Sequence, residues 1–207
     1  MLRGGRDGIV SYAIEGIIRT TGDVLSWLHH DLELFQSFDE AERLANSIPS
    51  NEGVYIVPAL VGLGAPYWSP NTKAAILGMN RSTTKAHIIR AGIECIAYQL
   101  KDVLDLIELD TDLKIPSLKV DGGATSNQFL MQYSSNILNK KVTASNVAEL
   151  SVLGSIYLAG LATNVWNSIS EIEKLKRDTT EFNNQMHDTE RYKFYSEWKT
   201  AVQTVLK

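Results

Sequence analysis

A single cysteine, Cys95, stands among 207 residues, so no disulfide can form within the chain. Four histidines, at positions 29, 30, 87 and 187, have no spacing that resembles a zinc or di-iron ligand set. Together these two scarcities lead to the expectation of a cytoplasmic chain without its own metal site. A basic excess is also missing. The 20 Lys+Arg against 24 Asp+Glu leave a net charge of −4 and a pI near 5.6, which removes the electrostatic footprint that nucleic-acid binding requires. Charge or glycine interrupts every apolar run well before the roughly 20 residues of a membrane span. Met1-Leu2-Arg3-Gly4-Gly5-Arg6 has no apolar segment behind it, so the chain is expected to be neither secreted nor membrane-spanning. What remains is ordinary globular composition, 44% hydrophobic and 21% charged, at a length that suits one domain.

The hydrophobic pattern supplies the architecture. Six irregular residues lead into the alternating run Ile9–Ile14, which reads as a strand entered in mid-domain. Ile17, Ile18, Val24, Leu25, Leu28, Leu32 and Leu34 predict a helix from just after Gly16 to about Leu34, and Ser37-Phe38-Asp39-Glu40 opens a second to about Ser47. After the turn Pro49–Gly53 come two strands, Val54–Pro58 and Ala74–Met79, joined by an ordered loop rich in glycine and proline, Gly62–Pro70. From Thr84 to about Leu109, Ile89, Ile93, Ile96, Leu100, Val103 and Ile107 recur at alternating steps of four and three, the spacing of one buried stripe. A strand at Pro116–Val120 delivers Asp121-Gly122-Gly123-Ala124 directly into a helix, Asn127–Leu138. A further strand at Lys141–Ala144 and a helix from Glu149 to Leu161 follow, an order that implies an α/β fold with parallel pairing. A covering helix, Glu190–Leu206, closes the chain with Tyr192, Tyr195, Trp198, Val202 and Val205 on one face.

The turn Asp121-Gly122-Gly123 is physically suited to a nucleotide. Two glycines let the backbone approach a ligand, and unpaired N–H groups at a helix start favour phosphate oxygens. A plain tight turn would use the same spacing, and Asn127 could offer its amide to an adenine edge or cap the helix. No Walker A run and no complete G-x-G-x-x-G are present; the nearest stretch, Gly62–Tyr67, carries Pro66 and Tyr67 where a dinucleotide turn needs glycine and flexibility. Glu149 reads as a carboxylate favoured by a helix N-terminus, Cys95 as a packed thiol, and His29-His30 as solvated groups near a helix end.

Three blocks in order carry a family resemblance: Gly62-Leu63-Gly64-Ala65-Pro66-Tyr67-Trp68, Asp121-Gly122-Gly123-Ala124-Thr125-Ser126-Asn127-Gln128-Phe129-Leu130-Met131-Gln132, and Glu149-Leu150-Ser151-Val152-Leu153-Gly154-Ser155-Ile156-Tyr157-Leu158-Ala159-Gly160-Leu161. From Tyr12 to its end the chain resembles the C-terminal half of the glycerol kinases, a branch of the FGGY carbohydrate kinase family. Ala74–Glu94 fits the family's second signature with Gly78, His87, Ala91 and Glu94 in register, while Gly92 departs from it.

The resemblance implies an actin-like ATPase (ribonuclease H-like) domain, a mixed sheet flanked by helices and lacking its first strands. Residues 1–207 would then form the nucleotide-binding domain, the N-terminal substrate domain being absent from the chain. It implies ATP and Mg2+ as cofactors, with metal ligands mainly elsewhere, ATP/ADP as partners, glycerol bound through the missing half, and a homo-oligomer. Gly123 and Asn127 would contact the adenosine, and Gly22 would be another nucleotide-site position. Ser26 stands where the family has Gln, and its shorter hydroxyl does not make the same reach. The family's acceptor base lies upstream of anything here, and neither Asp7 nor Asp121 substitutes for it. Asp121 either orders the turn or faces the phosphates through metal-bound water. The implied reaction is phosphorylation of glycerol to glycerol 3-phosphate, with the chain inactive by itself. The alternatives are a non-catalytic nucleotide-binding or interaction fragment, and a kinase of a pentulose or gluconate.

Overall fold

The computed structural model describes residues 2–6, 9–147 and 150–206; Asp7 and Glu149, both weighed above, lie outside them. Leu2–Arg6 (β1) is a strand and not an irregular lead-in, because it pairs antiparallel with Ile9–Ala13 (β2), Leu2 opposite Ala13 and Arg6 opposite Ile9. The first helix (α1) spans only Gly22–His30, shorter at both ends than the apolar spacing predicts. Packing overrules the pattern on the N-terminal side. Gly16 passes so close to Val103 that a Cβ would lie 2.3 Å from its Cγ1, and Ile17 is left exposed. On the C-terminal side, Glu33 at φ +51° turns the chain away. Phe38–Asn46 (α2) follows, and the Ser37 hydroxyl caps it by accepting from the Glu40 N–H at 3.2 Å.

Tyr55–Val57 (β3) and Ala75–Leu77 (β4) pair antiparallel. They lead into the longest helix, Lys85–Thr111 (α3), which opens with a capping box between Thr84 and His87. From Ala86 to Gln99 nearly every residue of α3 is buried, so the expected single stripe describes only its second half. The reason is that α1, α2, β3 and the later helix Gln128–Leu138 all pack on this segment. Gly92 belongs to that crowding. A Cβ there would come within 2.6 Å of Leu28 Cδ1, so glycine lets α1 close against α3.

The second half of the chain is the expected strand–helix–strand unit. Ser117–Val120 (β5) runs parallel to Lys141–Ser145 (β6), with Gln128–Leu138 (α4) as the crossover. Leu150–Ala162 (α5) and the short Ile169–Glu173 (α6) precede Thr179–Phe182 (β7), which adds antiparallel to β6 and makes the sheet mixed, in the order β5-β6-β7. No described strand joins this sheet to the β1–β2 pair. The last helix, Asp188–Val205 (α7), buries Trp198 completely, its ring stacked 5.3 Å from Tyr98. Tyr192 falls off the expected face and is 79% exposed. Arg191 takes the inward place instead, donating to the carbonyls of Asn136 and Met186. No helix among the described residues is long and apolar enough to cross a membrane.

Candidate functional site

Because β5 and β6 are parallel neighbours, their carboxyl ends face the same way, and in α/β sheets ligands bind in the crevice outside such ends. Two short segments meet there. From β5 the chain passes through Asp121 to Gly122, whose φ of 92° and ψ of 177° are open essentially to glycine alone. A 3-10 turn, Gly123–Ser126, then separates the strand from α4, so the strand does not pass directly into the helix. From β6 come Ser145 and Asn146. The recess between them, about 290 Å3, is lined by Gly122, Gly123, Thr125, Ser126, Ser145 and Asn146, none of them charged. A Cβ added at Gly122 or Gly123 would meet nothing within 4 Å.

Four N–H groups of this turn and of the helix start behind it are already engaged. Thr125 N–H donates to Gly122 O at 3.0 Å, and Asn127 N–H to Ala124 O at 3.2 Å. In the first turn of α4, Phe129 N–H donates to Glu42 Oε1 and Leu130 N–H to Asn127 Oδ1, at 3.3 and 2.8 Å. The buried Asn127 therefore caps α4. The recess is polar but neutral, better matched to the hydroxyls and ring nitrogens of a nucleoside than to a chain of phosphates.

Gly22 and Ser26 sit elsewhere. Both belong to the first half of α1, Gly22 exposed with nothing within 4 Å of an added Cβ, Ser26 half-buried, and neither lines the recess. The carbonyl of Thr20, just before α1, is held by Gln99 Nε2 at 3.0 Å, which ties this turn to α3. The structure thus places Gly123 and Asn127 in one turn and leaves Gly22 and Ser26 on a separate helix.

The Gly62–Trp68 block and the Ala74–Glu94 signature have structural work. Gly62, at φ +78°, lies so close to Pro70 that a Cβ would be 2.5 Å from its carbonyl oxygen. Tyr67 in the same loop donates its hydroxyl to Asp102 Oδ2 at 2.8 Å. That fully buried carboxylate also accepts from Tyr195 OH at 2.6 Å, Trp198 Nε1 at 2.9 Å and Lys199 Nζ at 3.3 Å. Burial, and then the charge of Asp102, pushes the phenols of Tyr67 and Tyr195 well above their ordinary range. Sequence reasoning missed Asp102, since an acid between Lys101 and Val103 on a long helix reads as solvated. In the Ala74–Glu94 signature, Gly78 at φ +79° would put a Cβ 1.9 Å from Gly53 O, and His87 closes the capping box of α3. Glu94 is wholly buried, accepting from Arg90 Nε at 2.6 Å and Asn51 Nδ2 at 2.9 Å. Burial raises its carboxyl to about 7 against the pull of Arg90. Cys95 is the packed thiol expected, its Sγ 3.2 Å from Gly92 O. His29, expected to be solvated, instead stacks on Phe35 with its Nδ1 2.7 Å from Phe35 O.

Comparison with known proteins identifies the family and the fold. A profile of the FGGY family of carbohydrate kinases, C-terminal domain, matches residues 4–163. The chain is 46% identical over 198 residues to glycerol kinase 2 of Thermotoga maritima, covering 96% of this chain and 40% of that protein. It is 44% identical over 203 residues to a glycerol kinase of Caldanaerobacter subterraneus subsp. tengcongensis, covering 98% and 41%. The crystal structure of Plasmodium falciparum glycerol kinase with ADP superposes with a TM-score of 0.84 at 36% identity, over 92% of this chain and 38% of the other. A gluconate kinase from Lactobacillus acidophilus shares the fold, with a TM-score of 0.75 at 22% identity. The expected actin-like ATPase fold, a mixed sheet flanked by helices, is therefore the fold of this chain. The chain spans about two fifths of the length of the curated relatives it matches.

Proposed function

The chain belongs to the FGGY family of carbohydrate kinases, and from that premise we propose that it holds the ATP side of a glycerol kinase, whose whole reaction moves a phosphoryl group from ATP to the 3-hydroxyl of glycerol. The observation that carries this reading is the glycine floor of the recess at the ends of β5 and β6, where the backbone of Gly122 and Gly123 is unobstructed by any neighbour. A ligand can approach that backbone as no side chain of the chain does. The glycerol kinases among its relatives, one of them solved with ADP, support the same assignment.

In this reading Gly123 receives the nucleoside, Asn127 holds the turn and keeps its amide beside it, and the open Gly22 with Ser26 gives a second approach from α1. Phosphoryl transfer depends on positioning an acceptor, a base and the phosphates together. The acceptor side is assigned to the parts of the longer relatives that these 207 residues do not match. Magnesium arrives with the nucleotide. Among the described residues no three His, Cys, Asp or Glu side chains converge on a possible metal position, and Asp121, exposed at the end of β5, is the acid nearest the recess in sequence.

The test is a titration of the 207-residue chain with ADP, alongside a coupled assay for ADP release with glycerol and ATP. Binding of ADP without glycerol-dependent turnover is expected. Absence of any nucleotide binding contradicts the reading, and turnover by the chain alone contradicts the placement of the acceptor side.

A further inference from the structure

Resting on the nucleotide reading above, the geometry points to Asn146, with Ser145 beside it, as the second wall of the nucleoside subsite, its carboxamide donating to the base or ribose of the bound nucleotide. Neither residue belongs to the blocks that carry the family resemblance. They reach the site only because β6 lies parallel to β5 and ends at the same level. The recess they close is bounded on its other side by Gly122, Gly123, Thr125 and Ser126.

The hydrogen bonds around the recess select the donor. Thr125 Oγ1 donates to Gly122 O at 2.8 Å and Ser126 Oγ to Gly123 O at 2.9 Å, so both hydroxyl protons on the glycine side are engaged within the turn. Ser145 Oγ accepts from Val147 N–H at 3.1 Å. Asn146 is fixed by its other atoms: its N–H donates to Asp178 O at 3.0 Å, and its Oδ1 accepts from Thr180 Oγ1 at 3.2 Å. Those two contacts come from β7 and the residue before it, and they orient the amide. They leave the Nδ2 hydrogens without an acceptor among the described residues. Asn146 is therefore the one lining side chain with an oriented and uncommitted donor pair. A nucleoside offers complementary acceptors in its ring nitrogens and ribose oxygens. With no cation among the lining residues, polyphosphate alone gains little there.

The experiment measures binding of adenosine, ADP and inorganic tripolyphosphate to the chain by 15N-resolved NMR, for the wild type, Asn146→Ala and Asn146→Asp. The isosteric Asp keeps the acceptor for Thr180 while replacing the two donors by a charged oxygen, which guards against loss of the fold. In the wild type, adenosine and ADP should shift the Asn146 side-chain amide signals, and tripolyphosphate should not. Both variants should bind adenosine about five- to tenfold more weakly, the size expected for one lost hydrogen bond. Asn146→Asp should weaken ADP further, because a carboxylate then faces the nucleotide. Unchanged adenosine and ADP affinity in both variants, with ADP still bound, overturns the assignment of Asn146 and leaves the nucleotide reading standing. No binding of adenosine or ADP to the wild type overturns both.

Discussion

The Gly62–Asp102 region and the recess at residues 122–146 both carry family motifs, but they differ in what their glycines face. At Gly62, Gly78 and Gly92 an added Cβ would approach another atom of the chain within 2.5, 1.9 and 2.6 Å. At Gly22, Gly122 and Gly123 it would meet nothing within 4 Å. The first set is glycine because the chain itself needs the space. The second set has its space left over, and two of its three members are positions that the family resemblance assigns to the nucleotide. Crowding around the missing Cβ of a motif glycine marks packing, whereas open space, which Gly53 and Gly154 also have, permits a ligand without marking one.

The largest effect that would sharpen this contrast lies in the crowded region. Asp102→Ala leaves the buried donors of Tyr67, Tyr195 and Trp198 without their acceptor, and stability should fall by about 3–5 kcal/mol in urea titration. Gly78→Ala should cost about 3 kcal/mol by the same measurement, since the residue combines a left-handed φ of +79° with a contact at 1.9 Å that has no room to relax.

Next comes the pH dependence of Glu94. Burial raises its folded pKa from 4.5 to about 7, so its contribution is most favourable below pH 4.5 and is lost as pH rises through 7. Chain stability should therefore decline between these values by about 3 kcal/mol and then level off, and Glu94→Gln should flatten that segment of the profile. Below this window the sign reverses. Glu40 and Glu108 have lowered pKa values, the first through the Gln36 backbone and the second through Lys140, so their contributions are lost as pH falls. A stability profile that is flat from pH 4.5 to 7 in the wild type would show that Arg90 neutralises the cost of burying Glu94.

Much of the architecture was legible because its patterns are local. The spacing of Ile89, Ile93, Ile96 and Leu100 marks α3, and Asp121-Gly122-Gly123 between apolar runs marks the β5–α4 turn. Other features were hidden because their causes lie far away in sequence. Leu2–Arg6 carries two glycines and no alternation, and becomes a strand only by pairing with β2. Thr-Thr-Glu-Phe has a single apolar residue and is a strand because β6 offers it an edge. The helix expected from Ile17 yields to the close pass of Gly16 over Val103. The site divides in the same way. Gly123 and Asn127 follow from turn chemistry, whereas Ser145 and Asn146 join them only through the parallel register of β5 and β6.

The contrast between crowded and open glycines is tested most directly at Gly123, where the smallest effect on the fold should accompany a complete effect on the ligand. The measurement is a pair of thermal melts, with and without ADP, for the wild type and Gly123→Val. Without ADP the two should melt alike, within about 0.5 kcal/mol, because a Cβ added at this position meets nothing of the chain within 4 Å. With ADP the wild type should melt higher, and the variant should lose that shift through an affinity at least about tenfold lower, about 1.4 kcal/mol. An equal ADP-induced shift in both proteins would contradict the account, since the space above Gly123 would then not be where the nucleotide sits.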